Sequence, residues 1–91
     1  MEEVKIGRVY RHFKGNYYFV ENVGLDSETR ERMVIYKSLY NHSDTDNNIW
    51  IRPEKMFLAE IPEIPERPDN ITGQKHRMEL VPELERNYKI N

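Results

Sequence analysis

Candidate chemistry in this sequence is concentrated in three short segments. Residues 10–16 place aromatic, cationic and imidazole side chains around a Gly-Asn turn, and residues 34–40 and 50–57 are rich in aromatic side chains and contain Arg52. A purely structural turn would not need such side chains. We expect the binding residues to come from these segments and from the loop around Glu28. They are Arg11, His12, Glu28, Tyr36, Tyr40, Trp50 and Arg52.

His12 is the candidate for acid–base chemistry, because histidine titrates near neutral pH without perturbation. A general base needs an orienting partner, for which Glu28 is the candidate, and Ser27 stands next to it. The sequence has no nucleophile elbow and no glycine-rich oxyanion loop, so a Ser-His-acid enzyme is not favoured. We therefore assign no catalytic residue. His12 either bonds a backbone carbonyl or Glu28, or belongs to a binding patch, and a small enzyme that uses His12 and Glu28 is the alternative.

Arg52 and three aromatic residues form the second group of candidates. The guanidinium of Arg52 would either pair with Glu28 and hold that loop to the fold, or bind an anionic group of a ligand. Tyr36, Tyr40 and Trp50 would either stack a planar group or pack in the core, since a small core depends on large aromatic side chains.

Metal and cofactor chemistry has no support in the residue spacing. The histidines stand far apart, at positions 12, 42 and 76, and the chain contains no cysteine. No spacing resembles that of a zinc or calcium site. We expect no metal and no cofactor, and the lack of cysteine excludes a disulfide.

The charge distribution bears on the partner. The net charge is −2, although residues 1–20 carry +2 from four Lys and Arg against two Glu. We expect a non-enzymatic binding module that recognises a peptide or protein partner. The alternatives are a small anionic ligand or nucleotide, and single-stranded nucleic acid, which the acidic total does not favour. The sequence makes no prediction of the oligomeric state.

The location follows from features that the sequence lacks. It contains no cysteine, no N-terminal targeting signal and no apolar run of about 20 residues. These observations predict a cytoplasmic protein without membrane association.

Alternation of apolar and polar residues predicts a β-hairpin early in the chain. Strands over residues 8–13 and 17–23 flank a turn at residues 14–16, where Gly and Asn accept the backbone angles of a tight turn. Gly24 is expected to mark a bulge or bend.

The middle of the chain predicts further strands and one helical turn. The apolar run in 32–40 is typical of a central strand buried on both faces, and 49–51 is a short strand. Pro53 ends that strand and begins a helical turn over 54–57, whose apolar residues would enter the core. These are Met56 and Phe57.

These elements together predict a mostly β fold. Five short strands with one helical turn are typical of an SH3-like barrel, and an OB-like barrel is the alternative. Such a barrel would bring the first hairpin alongside the segment before Pro53. A chain of 91 residues makes one domain. Its parts are the barrel core 4–61, a Pro-rich connection 62–76, a closing strand 77–81 and a tail 82–91.

A set of motifs occurs in order across residues 7–60. They are Gly7, 10–16, Tyr18, Val20, 27–29, 33–36, Leu39, Tyr40, 50–53, Met56 and Phe57. In these motifs the chain resembles a small bacterial family known as domain of unknown function 1653, so 4–61 is the family-like core. The family implies a shorter connection after Ile61 before a closing Arg-Phe segment, for which Arg77-Met78 stands here. The resemblance implies a bacterial, cytoplasmic protein, sometimes attached to other domains, and implies no reaction.

Overall fold

The computed structural model describes residues 3–39, 48–62 and 67–82, and these form a small β protein. Its elements are β1 (Val9–His12), β2 (Tyr17–Leu25), β3 (Arg32–Ser38), β4 (Ile49–Pro53), α1 (Glu54–Phe57) and β5 (Met78–Leu80). All five strands belong to one antiparallel sheet with the order β4-β3-β2-β1-β5. The prediction of a mostly β fold with five strands and one helical turn is confirmed. No helix among these residues is long and apolar enough to cross a membrane.

The sheet does not close into the predicted barrel. β4 and β5 lie at opposite edges and do not pair, so residues 77–81 contain an edge strand rather than a closing strand. β4 ends at Pro53, where the chain enters α1 instead of continuing toward the other edge of the sheet. Residues 59–61 then run antiparallel to residues 75–77, where backbone hydrogen bonds of 2.8 and 2.9 Å flank a bridge between Glu60 and His76. This short contact connects the two ends of a curled, open sheet.

The first hairpin forms as predicted. The backbone N–H of His12 donates to the carbonyl of Asn16 at 2.8 Å, and Gly15 turns the chain with a φ of 107°. The bulge predicted at Gly24 is wrong, because the register shift lies at residue 21, between Val20 and Asn22. Beyond that shift Gly24 is a regular strand residue.

The core lies on one face of the sheet, under α1. Phe57 is fully buried at its centre, where its ring meets the rings of Tyr10 and Tyr36 edge to face at 5.3 and 5.1 Å. The prediction that Met56 enters the core is wrong, since its side chain is 44% exposed. Adjacent residues of a helix point about 100° apart. In a helix of one turn, only one of Met56 and Phe57 can therefore face the sheet. The buried cluster consists of Val4, Tyr10, Val20, Val34, Tyr36, Phe57 and Met78.

β3 is central in the sheet but is buried on one face only. Val34, Tyr36 and Ser38 are buried, whereas the residues between them are half-buried, so the prediction of burial on both faces is wrong. The physical reason is that the described residues supply a covering layer, α1, for one side of the sheet. The same asymmetry leaves Ile49 and Ile51 of β4 exposed on the other side.

The connection before β5 packs against the first hairpin. Asn70 is buried, and its amide donates to the carbonyl of Gln74 at 2.9 Å, which closes a turn. The side chain of Gln74 then donates to the carbonyl of Arg11 at 2.8 Å. These hydrogen bonds fix the position from which residue 77 and β5 continue beside β1.

Candidate functional site

A cavity of about 230 Å³ opens on the core side of the sheet, and all five strands contribute to its wall. The strand register explains the convergence, because His12 stands opposite Met78 and Tyr36 opposite Trp50. Residues of the first hairpin and of the segment before Pro53 reach this one cavity. The two segments do not lie side by side as the barrel prediction expected, because β2 and β3 stand between β1 and β4 in the open sheet. The lining residues are His12, Tyr18, Tyr36, Trp50, Arg52 and Met78.

Four of the seven residues predicted from the sequence line this cavity. They are His12, Tyr36, Trp50 and Arg52. Arg11 does not line it: its Nε donates to the carbonyl of Gly15 at 3.4 Å and its guanidinium lies over the ring of Tyr17. Glu28 is exposed in the turn between β2 and β3, and among the described residues it pairs with neither His12 nor Arg52. Tyr40 lies outside the described residues.

Arg52 reaches the cavity because β4 alternates. Arg52 and Trp50 point to the core side, while Ile49 and Ile51 point to the other. The Nε of Arg52 donates to the hydroxyl of Tyr36 at 3.3 Å, and within the described ranges its guanidinium meets no carboxylate. The remaining N–H groups of the guanidinium are therefore available to an anionic group of a ligand.

The ring of His12 is held in one tautomer. Its Nδ1 accepts the backbone N–H of Lys14 at 3.0 Å, and the ring stacks on Phe13 at 4.3 Å. A neutral ring with Nδ1 as acceptor carries its proton on Nε2, which can donate to a ligand oxygen.

The pKa of His12 is lowered from 6.5 to about 4, first by burial and then by four nearby cations. These are Arg77, Lys14, Arg52 and Arg67. His12 is therefore neutral at pH 7, where it donates a hydrogen bond rather than carrying charge. A pKa this low, and an Nε2 that already holds a proton, make it a poor general base near neutral pH.

Two arginines that the sequence analysis missed surround Phe13 beside the cavity. The guanidinium of Arg67 lies 4.7 Å from the centroid of the Phe13 ring and that of Arg77 lies 5.7 Å away. Arg67 is neutralised by Asp69 through hydrogen bonds of 2.9 and 2.7 Å, whereas Arg77 has no carboxylate partner in the described part of the chain. Burial, and then Arg52 and Arg67, lower the pKa of Arg77. The region around the cavity therefore carries two arginine charges without a matching carboxylate.

Tyr18 and Met78 were also missed as lining residues. A signal for Met78 was present, since the predicted late strand contains it, but only the pairing of β5 with β1 places it beside His12. The aromatic wall is completed by Trp50, which is 46% exposed and whose Nε1 donates to Ser38 at 3.2 Å. This hydrogen bond fixes the orientation of the indole in the cavity wall.

A larger, open groove of about 800 Å³ also involves β5 and has the opposite character. Its charged residues include Glu3, Glu60 and Glu79. Glu79 is already used for structure, because its carboxylate accepts the N–H groups of residues 75 and 76 at 2.9 and 3.0 Å. Within residues 3–39, 48–62 and 67–82, no three His, Asp or Glu side chains converge as they would to hold a metal ion.

This chain is a small antiparallel β protein with a cationic, aromatic recess on one face of its sheet. A family model described as "Protein of unknown function (DUF1653)" matches residues 8–67, so the chain belongs to that family, as predicted. A crystal structure of a DUF1653 protein from Bordetella bronchiseptica is 23% identical and superimposes with a TM-score of 0.63, over 89% of this chain and 87% of that one. It shows the same fold. No curated protein matches the chain.

Proposed function

We propose that this protein is a non-enzymatic binding module that recognises an acidic group of a peptide or protein partner. The observation that carries the proposal is Arg52, which lines the cavity with no carboxylate partner among the described residues. A carboxylate in the cavity would accept from the guanidinium of Arg52 and from Nε2 of His12. Hydrogen bonds to charged groups contribute about 1.5–3 kcal/mol each.

The size of the cavity favours part of a larger partner over a whole small molecule. Pockets that enclose a drug-sized ligand measure roughly 300–1,000 Å³, and this one measures about 230 Å³. An aspartate or glutamate side chain, or a terminal carboxylate, fits that space while the rest of the partner lies outside. The proposal includes the cytoplasmic location that the sequence predicts.

A small anionic ligand is the second candidate, and the partial exposure of Trp50 in the cavity wall is the observation that favours it. A nucleotide would stack its base on the indole and place a phosphate at Arg52. Acid–base catalysis has weaker support, since the ring nitrogen of His12 that faces Lys14 is occupied and Glu28 does not orient it.

The test uses Trp50, which is the single tryptophan of the chain and lies in the cavity wall. Its fluorescence is titrated with capped glutamate, with capped glutamine as the neutral isostere, and with adenosine monophosphate. We expect a saturable response to glutamate, weakened roughly tenfold or more in Arg52→Gln and unchanged in Arg11→Gln. The second variant removes the same charge outside the cavity.

An equal response to glutamate and glutamine would contradict the proposal, as would equal losses in the two arginine variants. A response to the nucleotide alone that depends on Arg52 would replace the peptide partner by the second candidate.

A further inference from the structure

The open edge of β4 lies next to the cavity. β4 pairs with β3 alone among the described residues, and backbone hydrogen bonds from its other side at residues 50–52 are absent there. A sheet edge of this kind is a template for another strand. Natural edges are protected by charges, bulges or extreme shortness. β4 has five residues, and its only protective features are Arg52 and the terminal Pro53.

The side chains of this edge are unusually apolar for an exposed strand. Ile51 is 64% exposed and Trp50 is 46% exposed. The other edge strand, β5, has three residues and carries Glu79 in its centre. Of the two edges, β4 is therefore the longer and the more apolar one, with Trp50 on the core side of the sheet and Ile51 on the other.

The edge and the cavity share Trp50 and Arg52, and this continuity identifies the occupant. A strand added beside β4 lies about 4.8 Å away and sends alternate side chains to opposite faces of the sheet. The side chain next to Arg52 therefore points toward the cavity, whereas its two neighbours point to the face of Ile51. Charge complementarity requires the first to be acidic, and the exposed isoleucine favours apolar neighbours.

We infer that an extended peptide of the pattern apolar–acidic–apolar adds to the edge of β4 as a sixth strand, with its carboxylate at Arg52. This inference rests on the proposed function and adds the binding mode and the residue pattern of the partner. Backbone hydrogen bonds to β4 supply affinity, and the cavity supplies the preference for the acidic residue.

The experiment measures binding of capped pentapeptides to the full chain by Trp50 fluorescence. The parent has the sequence Thr-Val-Glu-Val-Thr, and one analogue has Gln in place of Glu. The alternate backbone amides of the peptide form two sets, which point to opposite sides of an extended strand. Two further analogues each carry N-methyl groups on one of these two sets. Only one set of amides faces β4 in an added strand, so we expect one N-methylated analogue to lose at least tenfold in affinity while the other binds like the parent.

Protein variants supply the matching control. Ile51→Lys places a charge on the edge and is expected to weaken the parent peptide at least tenfold. Leu25→Lys changes an equally exposed residue, also 64% accessible, at the end of β2 and is expected to bind normally. Thermal unfolding of both variants establishes that each remains folded.

The outcomes separate this inference from the proposed function. If the Glu peptide outcompetes the Gln peptide but both N-methylated analogues bind like the parent, the anion site stands and strand addition is overturned. If Glu and Gln peptides bind alike, the proposed function fails. If the protein instead forms a dimer that Ile51→Lys dissociates and no peptide competes, the occupant of the edge is a second copy and the peptide inference is wrong.

Discussion

Acidification from pH 7.5 to pH 5.0 provides a direct test of the environment of His12. Burial and the surrounding arginines disfavour the imidazolium in the folded protein, where its pKa is about 4. The unfolded chain has no such environment, and its His12 titrates near 6.5. As the pH falls, the unfolded chain therefore takes up a proton before the folded one does. The stability contributed by the neutral ring is complete above pH 6.5 and is lost as the pH falls toward 4.

The size of the effect follows from the two pKa values. The difference in proton uptake between the unfolded and folded chain lowers the free energy of unfolding by at most about 2 kcal/mol between pH 7.5 and pH 5.0. The ring is only half-buried, so solvent screening reduces this, and we expect about 1 kcal/mol. At pH 5.0 the carboxylates of Asp69 and Glu54 remain ionised, because their arginine partners lower their pKa values. Among the described groups whose pKa is shifted, His12 is the one that titrates differently in the folded and unfolded chain within this window.

The assay is urea unfolding followed by Trp50 fluorescence at both pH values, in the wild type and in His12→Asn. Asparagine keeps an acceptor near the position of Nδ1 for the N–H of Lys14 and has no titrating group. We expect the free energy of unfolding of the wild type to fall by about 1 kcal/mol more than that of the variant over this pH range. Equal falls in the two proteins would refute the argument that the fold holds His12 neutral among cations.

Three further substitutions, two of them compared with a control variant, test the packing, the backbone and an ion pair. Phe57→Ala should lower the free energy of unfolding by about 3–5 kcal/mol, because the ring is fully buried. Met56→Ala, at the exposed neighbouring residue, should lower it by less than about 1 kcal/mol. Thermal unfolding of both variants measures the difference. Gly15→Ala should lower the free energy of unfolding by about 1–2 kcal/mol. Gly73→Ala should lower it by less, because both glycines have a positive φ but, of the two, only a Cβ at Gly15 would meet a side chain, at 3.0 Å. Urea unfolding of both variants gives the comparison. Glu54→Gln should lower the free energy of unfolding by about 1–2 kcal/mol. The carboxylate of Glu54 pairs with Arg32 at 2.8 Å and accepts the backbone N–H of Val4 at 2.9 Å. A Glu54→Gln protein as stable in urea as the wild type would show that these contacts contribute nothing to stability.

Local patterns predicted the elements that local chemistry determines. The turn at Gly15 follows from its positive φ, and α1 follows from Pro53, which has no N–H and begins a helical turn. The bulge between Val20 and Asn22 could not be predicted, because neither residue has the backbone preference of glycine. Its position depends on how β2 aligns with β3.

The candidate site divides in the same way. His12 and Arg52 were found from their residue types, because imidazole and guanidinium groups can donate hydrogen bonds to a ligand wherever they lie in the chain. Met78 was missed as a lining residue because an apolar side chain enters a site only through strand order. Glu28, which was expected to pair with His12 or Arg52, lies instead in an exposed turn away from both. Its turn is organised locally by the carboxylate of Asp26, which accepts the N–H of Glu28 at 2.9 Å.

The arrangement around Arg52 supports the binding role proposed for this residue. A structural arginine is typically stabilised by a carboxylate, as Arg67 is by Asp69 and Arg32 is by Glu54. Within the described part of the chain, Arg52 has instead a single side-chain hydrogen bond, to a tyrosine hydroxyl, and lies near Arg77, whose charge repels it. The repulsion destabilises the free protein, and a carboxylate from a partner would offset it. The same reasoning predicts that Arg52→Gln should leave the free protein as stable as the wild type or slightly more stable, while it weakens the glutamate response.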